Sequence, residues 1–191
     1  HGKSPGKGRQ SIGAYASDMA ALLDALKIDS AFIAGHSMGG AVALTMALHY
    51  PNRVRGLILI GTGAKLAAHP VLLNASADKE KAVEMVLNGY WGTSPEYDQL
   101  RRLSRKHLLE FDAGVMQGDY IACNTFDVRD QLGRITQPVL VIGATDDMMT
   151  PLKSGKALAA ALAAARTVVL PGAGHMMMLE QPEQTLAALR G

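Results

Sequence analysis

The chain has 191 residues, of which 48% are hydrophobic and 19% charged, and its formal net charge is +2. This is the composition of an ordinary globular protein with a real core, not of a disordered or fibrous chain. Scattered basic residues and an aromatic content of 5% exclude a nucleic-acid-binding protein. No apolar run is long enough for a membrane span and no signal peptide is visible, so we expect a cytoplasmic location and no membrane partner.

The first half of the chain alternates helical and strand patterns. Apolar residues recur at helical spacing from Ile12, and Ser11 before them is typical of an N-cap. Short apolar runs at 31–35 and 54–60 predict buried strands, and the segment between them predicts a helix over 38–49 that stops before Pro51.

The second half begins with a long stretch of helical character and then returns to alternation. Residues 65–124 predict helices with no strand between them, which indicates an insertion. The elements predicted after it are a strand at 138–143, a helix at 151–165 with Thr150 as N-cap and Pro151 as first residue, a strand at 166–170 and a helix at 182–189.

Alternating strands and helices predict an α/β fold, with a mainly parallel sheet flanked by helices. We expect three parts: core at 1–64, a helical cap insertion at 65–124, and core again at 125–191. In such folds, ligands bind at the carboxyl ends of the strands. Reactive residues that directly follow strands are therefore the candidates for function.

Ser37 directly follows the first predicted strand, within Gly35-His36-Ser37-Met38-Gly39. The pattern G-x-S-x-G between a strand and a helix is a nucleophile elbow, a sharp turn that exposes the serine hydroxyl. We expect a β-carbon at position 35 or 39 to clash in this turn. The helix N-terminus behind the serine favours a developing oxyanion.

Two further candidates follow later strands. Asp146 and Asp147 follow the strand at 138–143, and His175 follows the strand at 166–170. A serine nucleophile needs a base, and the base needs an orienting acid. The chain order serine, aspartate, histidine is that of one convergent triad and differs from the chymotrypsin and subtilisin orders.

These motifs resemble the α/β-hydrolase fold superfamily, in its branch of small bacterial esterases and enol-lactonases. The resemblance covers the whole chain, through the stretches SIGAYASDMAALLDAL, GHSMGGAVALTMALHYP, FDVRDQLGRITQPVLVIGATDDMMTP and GAGHMMMLEQPE. It implies Ser37 as nucleophile, His175 as general base and then acid, and the Met38 backbone N–H as an oxyanion donor. Counting back from Pro151 selects Asp147 as the acid, and counting forward from Gly143 selects Asp146; we favour Asp147.

The resemblance implies a serine hydrolase acting by acyl transfer on a small carboxylic ester or lactone. The alternatives are a carbon–carbon bond hydrolase, a haloperoxidase-like enzyme, or a non-catalytic member that binds a ligand in the same pocket. No metal-ligand cluster is visible, so we expect no metal and no cofactor. A homo-oligomer is left open.

The opening stretch His1-Gly2-Lys3-Ser4 resembles a segment that follows the family's fourth strand. We therefore expect the family's N-terminal strands and second oxyanion donor to be absent, and this chain alone to be inactive. Gly2-Lys3-Ser4 also matches the end of a phosphate-binding P-loop. Pro5, Gly6 and Gly8 disfavour that interpretation, since the P-loop serine must enter a helix at once.

Side chains of the predicted cap are expected to determine substrate specificity. Histidine 36 is interpreted as a packing residue that points away from the site, and Cys123 as a small core residue. The residues expected to line the substrate pocket are Trp91, Met116, Tyr120, Met149 and Met176, with Tyr90 and Phe111 as further candidates in the cap.

Overall fold

A computed structural model describes residue 4 and residues 8–92 and 94–190 of the chain. Its centre is a four-stranded sheet in the order β1-β2-β3-β4, with all neighbours parallel. The strands are β1 (Ala31–His36), β2 (Val54–Ile60), β3 (Val139–Ala144) and β4 (Ala165–Leu170). Since the strands are parallel, the turns that follow them meet at one edge of the sheet. The predicted parallel α/β architecture is confirmed.

The helices cover the sheet and fill the segment between β2 and β3. They are α1 (Ile12–Ala25), α2 (Met38–His49), α3 (Pro70–Leu73), α4 (Lys79–Tyr90), α5 (Asp98–Glu110), α6 (Ala113–Asn124), α7 (Leu152–Ala160), α8 (Met177–Glu180) and α9 (Pro182–Arg190). Short 3-10 turns lie at Pro51–Arg53, Pro95–Tyr97 and Arg129–Arg134.

The first two helices are positioned by burial. Helix α1 starts where predicted, because the Ser11 hydroxyl accepts a hydrogen bond from the Ala14 N–H at 3.3 Å. Helix α2 is buried along its whole run from 40 to 48, and it packs in the main core between the sheet and α1. A helix buried on all sides holds its N-terminus rigidly, and that N-terminus carries Ser37.

The helix predicted at 151–165 is shorter than expected. Pro151 has an extended ψ of 142° and stands outside α7, and the Thr150 backbone N–H donates to Asp147 Oδ1 at 2.8 Å. Thr150 therefore belongs to the turn of Asp147 and does not cap the helix. At the other end, the Ala164 carbonyl accepts from the Val139 N–H at 2.9 Å, so strand pairing overrides the helix propensity of the alanines.

The two ends of the segment 65–124 lie next to each other, beside the sheet. Lys65 and Asp127 form an isolated antiparallel bridge, and the Val128 N–H donates to the Ala64 carbonyl at 2.8 Å. Helices α3 to α6 lie between these points and share an apolar cluster of their own. The division into three parts stays a prediction, but the segment starts and ends beside the carboxyl edge of the sheet.

In the described part of the chain, no helix combines the length and apolar character needed to cross a membrane. Residues 1–3, which resemble H-G-x-S and match the end of a P-loop, and residues 5–7 lie outside the described residues.

Candidate active site

Ser37 occupies a strained turn between β1 and α2. Its φ is +53° and its ψ is −118°, a backbone conformation that non-glycine residues rarely adopt. The turn is held by the Ser37 N–H, which donates to the Ile60 carbonyl at 2.9 Å, and by the Gly40 N–H, which donates to the Ser37 carbonyl at 2.9 Å. The neighbouring strand and the first helical turn thus fix the serine where β1 ends.

The small residues of the turn have different roles. A β-carbon on Gly35 would lie 2.0 Å from the Gly39 carbonyl oxygen, so this position admits glycine only, as predicted. The same prediction for Gly39 is wrong, because a β-carbon there meets no atom of the described residues within 4 Å outside its own helix. The second close approach is at Gly40, whose β-carbon would lie 2.4 Å from Thr62 Cγ2. The turn is therefore tight where β1 meets the first turn of α2 and where α2 meets Thr62, and open at Gly39.

Met38 is the first residue of α2. Its N–H therefore has no intrahelical acceptor, and it lies at the positive end of the helix dipole. Met38 lines the same cavity as Ser37. Its role as an oxyanion donor stays a prediction.

His175 and Asp147 form a buried pair. His175 Nδ1 lies 2.9 Å from Asp147 Oδ2 and 3.0 Å from Oδ1, and the two side chains are 1% and 0% exposed. Asp147 Oδ1 also accepts from the N–H groups of Met149 and Thr150, at 2.9 and 2.8 Å. These bonds fix the carboxylate, which in turn orients the imidazole.

Asp146 is placed differently from its neighbour. It is exposed, its carboxylate accepts from the Thr145 hydroxyl at 2.7 Å, and its N–H donates to the Ala173 carbonyl at 3.0 Å. Of the two aspartates left open by the sequence, Asp147 is the one that meets His175.

His36 lies beside His175, and the interpretation that it points away is wrong. The two rings are 4.5 Å apart between centroids, and His36 Nε2 lies 2.9 Å from the His175 carbonyl oxygen. Burial, with a smaller contribution from His175, lowers the pKa of His36 to about 4. A neutral His36 can donate from Nε2 to that carbonyl, and it thereby supports the backbone of His175.

A cavity of about 260 Å³ lies over these residues. It brings Ser37 and His175 into one space, together with side chains from the predicted cap. A neighbouring cavity of about 350 Å³ also reaches Ser37 and extends to Lys65 and Arg129.

Three of the five predicted pocket residues line these cavities. Met116 lines the first, and Tyr120 and Met149 line both. Trp91 and Met176 line neither. Trp91 directly follows α4 and is buried beside Tyr97, with 6.3 Å between ring centroids. The Met176 N–H donates to the Tyr90 carbonyl at 2.9 Å. Tyr90 and Phe111 both line the first cavity.

Sequence reasoning missed several residues that line the cavities, among them Leu108, Asp119 and Cys123. Cys123 lines both cavities and Asp119 lines the first; burial raises the pKa of the Cys123 thiol to about 12. The signal was present, because positions 116, 120 and 123 share one face of α6 at helical spacing. Among the described residues, no group of three or more histidines, cysteines and carboxylates could hold a metal ion.

Comparison with known proteins identifies relatives of several activities. The chain is 31% identical to the 2-hydroxy-6-oxo-6-phenylhexa-2,4-dienoate hydrolase of Burkholderia cepacia, over 85% of this chain and 62% of that protein. It is 31% identical to the 3-oxoadipate enol-lactonase 2 of Acinetobacter baylyi, over 87% of this chain and 64% of that protein. The chain thus spans less than two thirds of the length of these two relatives.

Solved structures of hydrolases share the fold of this chain. A hydrolase from Pseudomonas aeruginosa PA01 superposes with a TM-score of 0.90 at 30% identity, over 99% of this chain and 74% of that one. A profile of the alpha/beta hydrolase family matches residues 1–189. With its parallel sheet and the serine turn at the end of β1, the chain belongs to the alpha/beta hydrolase family.

Proposed function

We propose that the protein is a serine hydrolase that cleaves a small carboxylic ester or lactone by acyl transfer. The observation that carries this proposal is the buried Asp147–His175 pair, which lies at the cavity that also holds Ser37 in its strained turn. The similarity to an enol-lactonase supports a lactone or ester as substrate.

In the proposed mechanism, Ser37 Oγ attacks the substrate carbonyl carbon while His175 Nε2 takes the hydroxyl proton. Asp147 accepts a hydrogen bond from Nδ1–H, which fixes the tautomer that leaves Nε2 free as a base and stabilises the imidazolium that forms. The Met38 N–H stabilises the oxyanion of the tetrahedral intermediate. His175 then protonates the leaving alkoxide, and water, activated by the same imidazole, releases the acid from Ser37.

We further propose that residues 65–124 act as a cap that selects the substrate. Tyr90, Leu108, Phe111, Met116 and Tyr120 all come from this segment and face the cavity of Ser37. The lining is mostly apolar, which suits a small hydrophobic acyl or alkyl group.

Hydrolysis of a carbon–carbon bond is the second candidate. The name of the Burkholderia cepacia relative describes a keto acid without an ester bond, so its hydrolysis breaks a carbon–carbon bond. A ring-opened dienoate of this type and p-nitrophenyl acetate, assayed side by side, distinguish the two activities by their kcat/KM.

The first test replaces the nucleophile. We expect Ser37→Ala to lower kcat on p-nitrophenyl acetate by on the order of 10⁶-fold, as in other triad enzymes, and to abolish labelling by a fluorophosphonate. Ser17→Ala, on the exposed side of α1, is the control and should keep wild-type values. Wild-type turnover in Ser37→Ala would contradict the proposal.

The second test compares the two aspartates. Asp147→Asn leaves the side chain in place but removes the charge that orients and stabilises His175, so kcat should fall by about 10⁴-fold. Asp146→Asn should stay within about threefold of the wild type, because Asp146 is exposed and, among the described residues, bonds to Thr145 and Ala173 and not to His175. Equal losses in both variants would reject Asp147 as the acid.

A further inference from the structure

Glu180, the last residue of α8, carries a buried carboxylate that the proposed mechanism does not use. The residue is 9% exposed. Its Oε2 accepts two backbone hydrogen bonds, from the Gly174 N–H at 2.9 Å and from the Gly92 N–H at 3.1 Å. Its Oε1 is buried and has no hydrogen-bond partner among the described residues. Burying a carboxylate costs free energy of desolvation, which the two N–H bonds offset only in part. The position of these bonds therefore indicates a specific role for Glu180.

The two donors belong to different parts of the molecule. Gly174 directly precedes His175, and Gly92 lies just beyond α4, in the proposed cap. A β-carbon on Gly174 would lie 2.3 Å from the Gly92 nitrogen and 2.6 Å from the Trp91 carbonyl carbon, so the two backbones touch. One carboxylate oxygen therefore ties the cap to the loop of the proposed base.

A second hydrogen bond joins the end of α4 to the residue that follows His175. The Met176 N–H donates to the Tyr90 carbonyl at 2.9 Å, so the residues before and after His175 are both bonded to the end of α4 or to Glu180. The Gly92 carbonyl in turn accepts from the Arg101 guanidinium of α5. Gly92 is thus held at both its N–H and its carbonyl.

From this geometry we infer that Glu180 is a positioning residue for His175, which acts through Gly174 and couples the cap to the base. The inference rests on the proposed function, because it takes His175 as the base. Asp147 fixes the imidazole ring at Nδ1, and Glu180 fixes the backbone from which that ring extends. A displacement of about 1 Å at a catalytic group costs about 10²-fold in rate.

The test compares three substitutions in the protein. Glu180→Gln keeps an oxygen that can accept both N–H bonds, Glu180→Met removes the acceptor at similar length, and Glu180→Asp keeps the charge but shortens the reach. Glu183→Gln and Glu183→Met, on the exposed first turn of α9, are the matched controls. The readouts are kcat and KM on p-nitrophenyl acetate and the proton NMR signals of His175 Cε1–H and Nδ1–H.

We expect Glu180→Met to lose about 10²-fold in kcat with KM within twofold, and to move the His175 signals. Glu180→Gln should stay within about threefold in kcat and leave these signals in place, as should both Glu183 controls. A loss in Glu180→Gln as large as in Glu180→Met, with both variants folded, would overturn the inference, because it would assign the effect to charge.

If Glu180→Met fails to fold, Glu180→Asp decides: a loss in kcat with shifted His175 signals supports the inference, and wild-type values overturn it. The NMR readout also separates the two proposals. Absence of Ser37-dependent hydrolysis in the wild type would reject the proposed function, while the His175 signals would still report whether Glu180 holds that loop.

Discussion

Gly61, the residue after β2, lies directly against the Asp147–His175 pair. A β-carbon at this position would be 3.2 Å from Asp147 Oδ2 and 3.4 Å from His175 Nδ1, and its φ of +52° favours glycine. At the scale of single residues, the geometry of the site therefore depends on the lack of a side chain at Gly61. The carboxylate and imidazole lie 2.9 Å apart, and a side chain at position 61 would crowd both of them.

Gly61→Ala tests this dependence. We expect kcat to fall by up to about 10²-fold, because the methyl group would displace Asp147 and His175 from their present positions. We also expect the positive φ to lower the free energy of unfolding by about 1–2 kcal/mol. Gly172→Ala is the matched control, since Gly172 has φ +74° but no atom within 4 Å of its β-carbon position. It should lose the same stability and keep wild-type kcat; an equal loss of kcat in both variants would assign the effect to backbone strain alone.

The sequence was most informative where the residue type itself constrains the chemistry. The spacing around Ser37 and the strand-end position of His175 selected both residues, whereas Asp146 and Asp147 stayed open until the contacts of each carboxylate were known. His36 was misplaced because a motif fixes the order of residues and not the rotamer of each side chain. Its direction follows from packing against His175, a residue 139 positions later.

At the scale of elements, the β1–α2 turn combines a tight side and an open side. Gly35 is pressed against the first turn of α2, whereas Gly39, two residues into that helix, faces the cavity of Ser37. Gly35 and Gly39 are therefore subject to different steric constraints. One allows the strand to approach the helix, and the other leaves room beside the serine.

Alanine substitutions in this turn should separate the two roles. Gly35→Ala places a methyl group 2.0 Å from a backbone oxygen that cannot move without moving α2, so unfolding free energy should fall by about 3 kcal/mol. Gly39→Ala meets no atom within 4 Å and should be neutral or up to about 1 kcal/mol stabilising, because alanine is the better helix former. Chemical denaturation of both variants measures this, and a destabilised Gly39→Ala would contradict the assignment.

The ends of α7 show why element boundaries are hard to predict. An alanine-rich run favours helix through to 165, but Ala164 is already bonded to β3 and Leu162 is buried in the core. Local propensity is worth a few tenths of a kcal/mol per residue. A buried leucine and a strand bond together outweigh it.

At the scale of the whole molecule, the parallel sheet collects the turns after β1, β2, β3 and β4 at one edge, and the helical segment 65–124 lies beside that edge. The resulting burial has a thermodynamic consequence at His36. Its pKa is about 4 in the folded protein, against 6.5 for an unperturbed histidine. Above pH 6.5 the imidazole is neutral in both states; as the pH falls from 6.5 to 4 only the unfolded state gains the proton, so stability is lost.

His36→Gln should remove this pH-dependent component. Glutamine keeps an N–H donor for the His175 carbonyl but does not titrate. The difference in unfolding free energy between wild type and variant should therefore be largest above pH 6.5 and shrink by about 3 kcal/mol toward pH 4. Urea denaturation across this range measures it, with the exposed His107→Gln as control; a difference independent of pH would show that His36 is not buried in its neutral form.

The sequence by itself determined the α/β alternation, the position of the serine turn, and the histidine and aspartates that follow later strands. These follow from periodicity and from residue types that few backbone conformations tolerate. Only the tertiary structure decided that Asp147 is the partner of His175, that His36 contacts the His175 carbonyl, and that Glu180 accepts hydrogen bonds from both Gly92 and Gly174. Each of these is a contact between residues far apart in the chain, and its existence depends on how the sheet and helices pack, which no local pattern records.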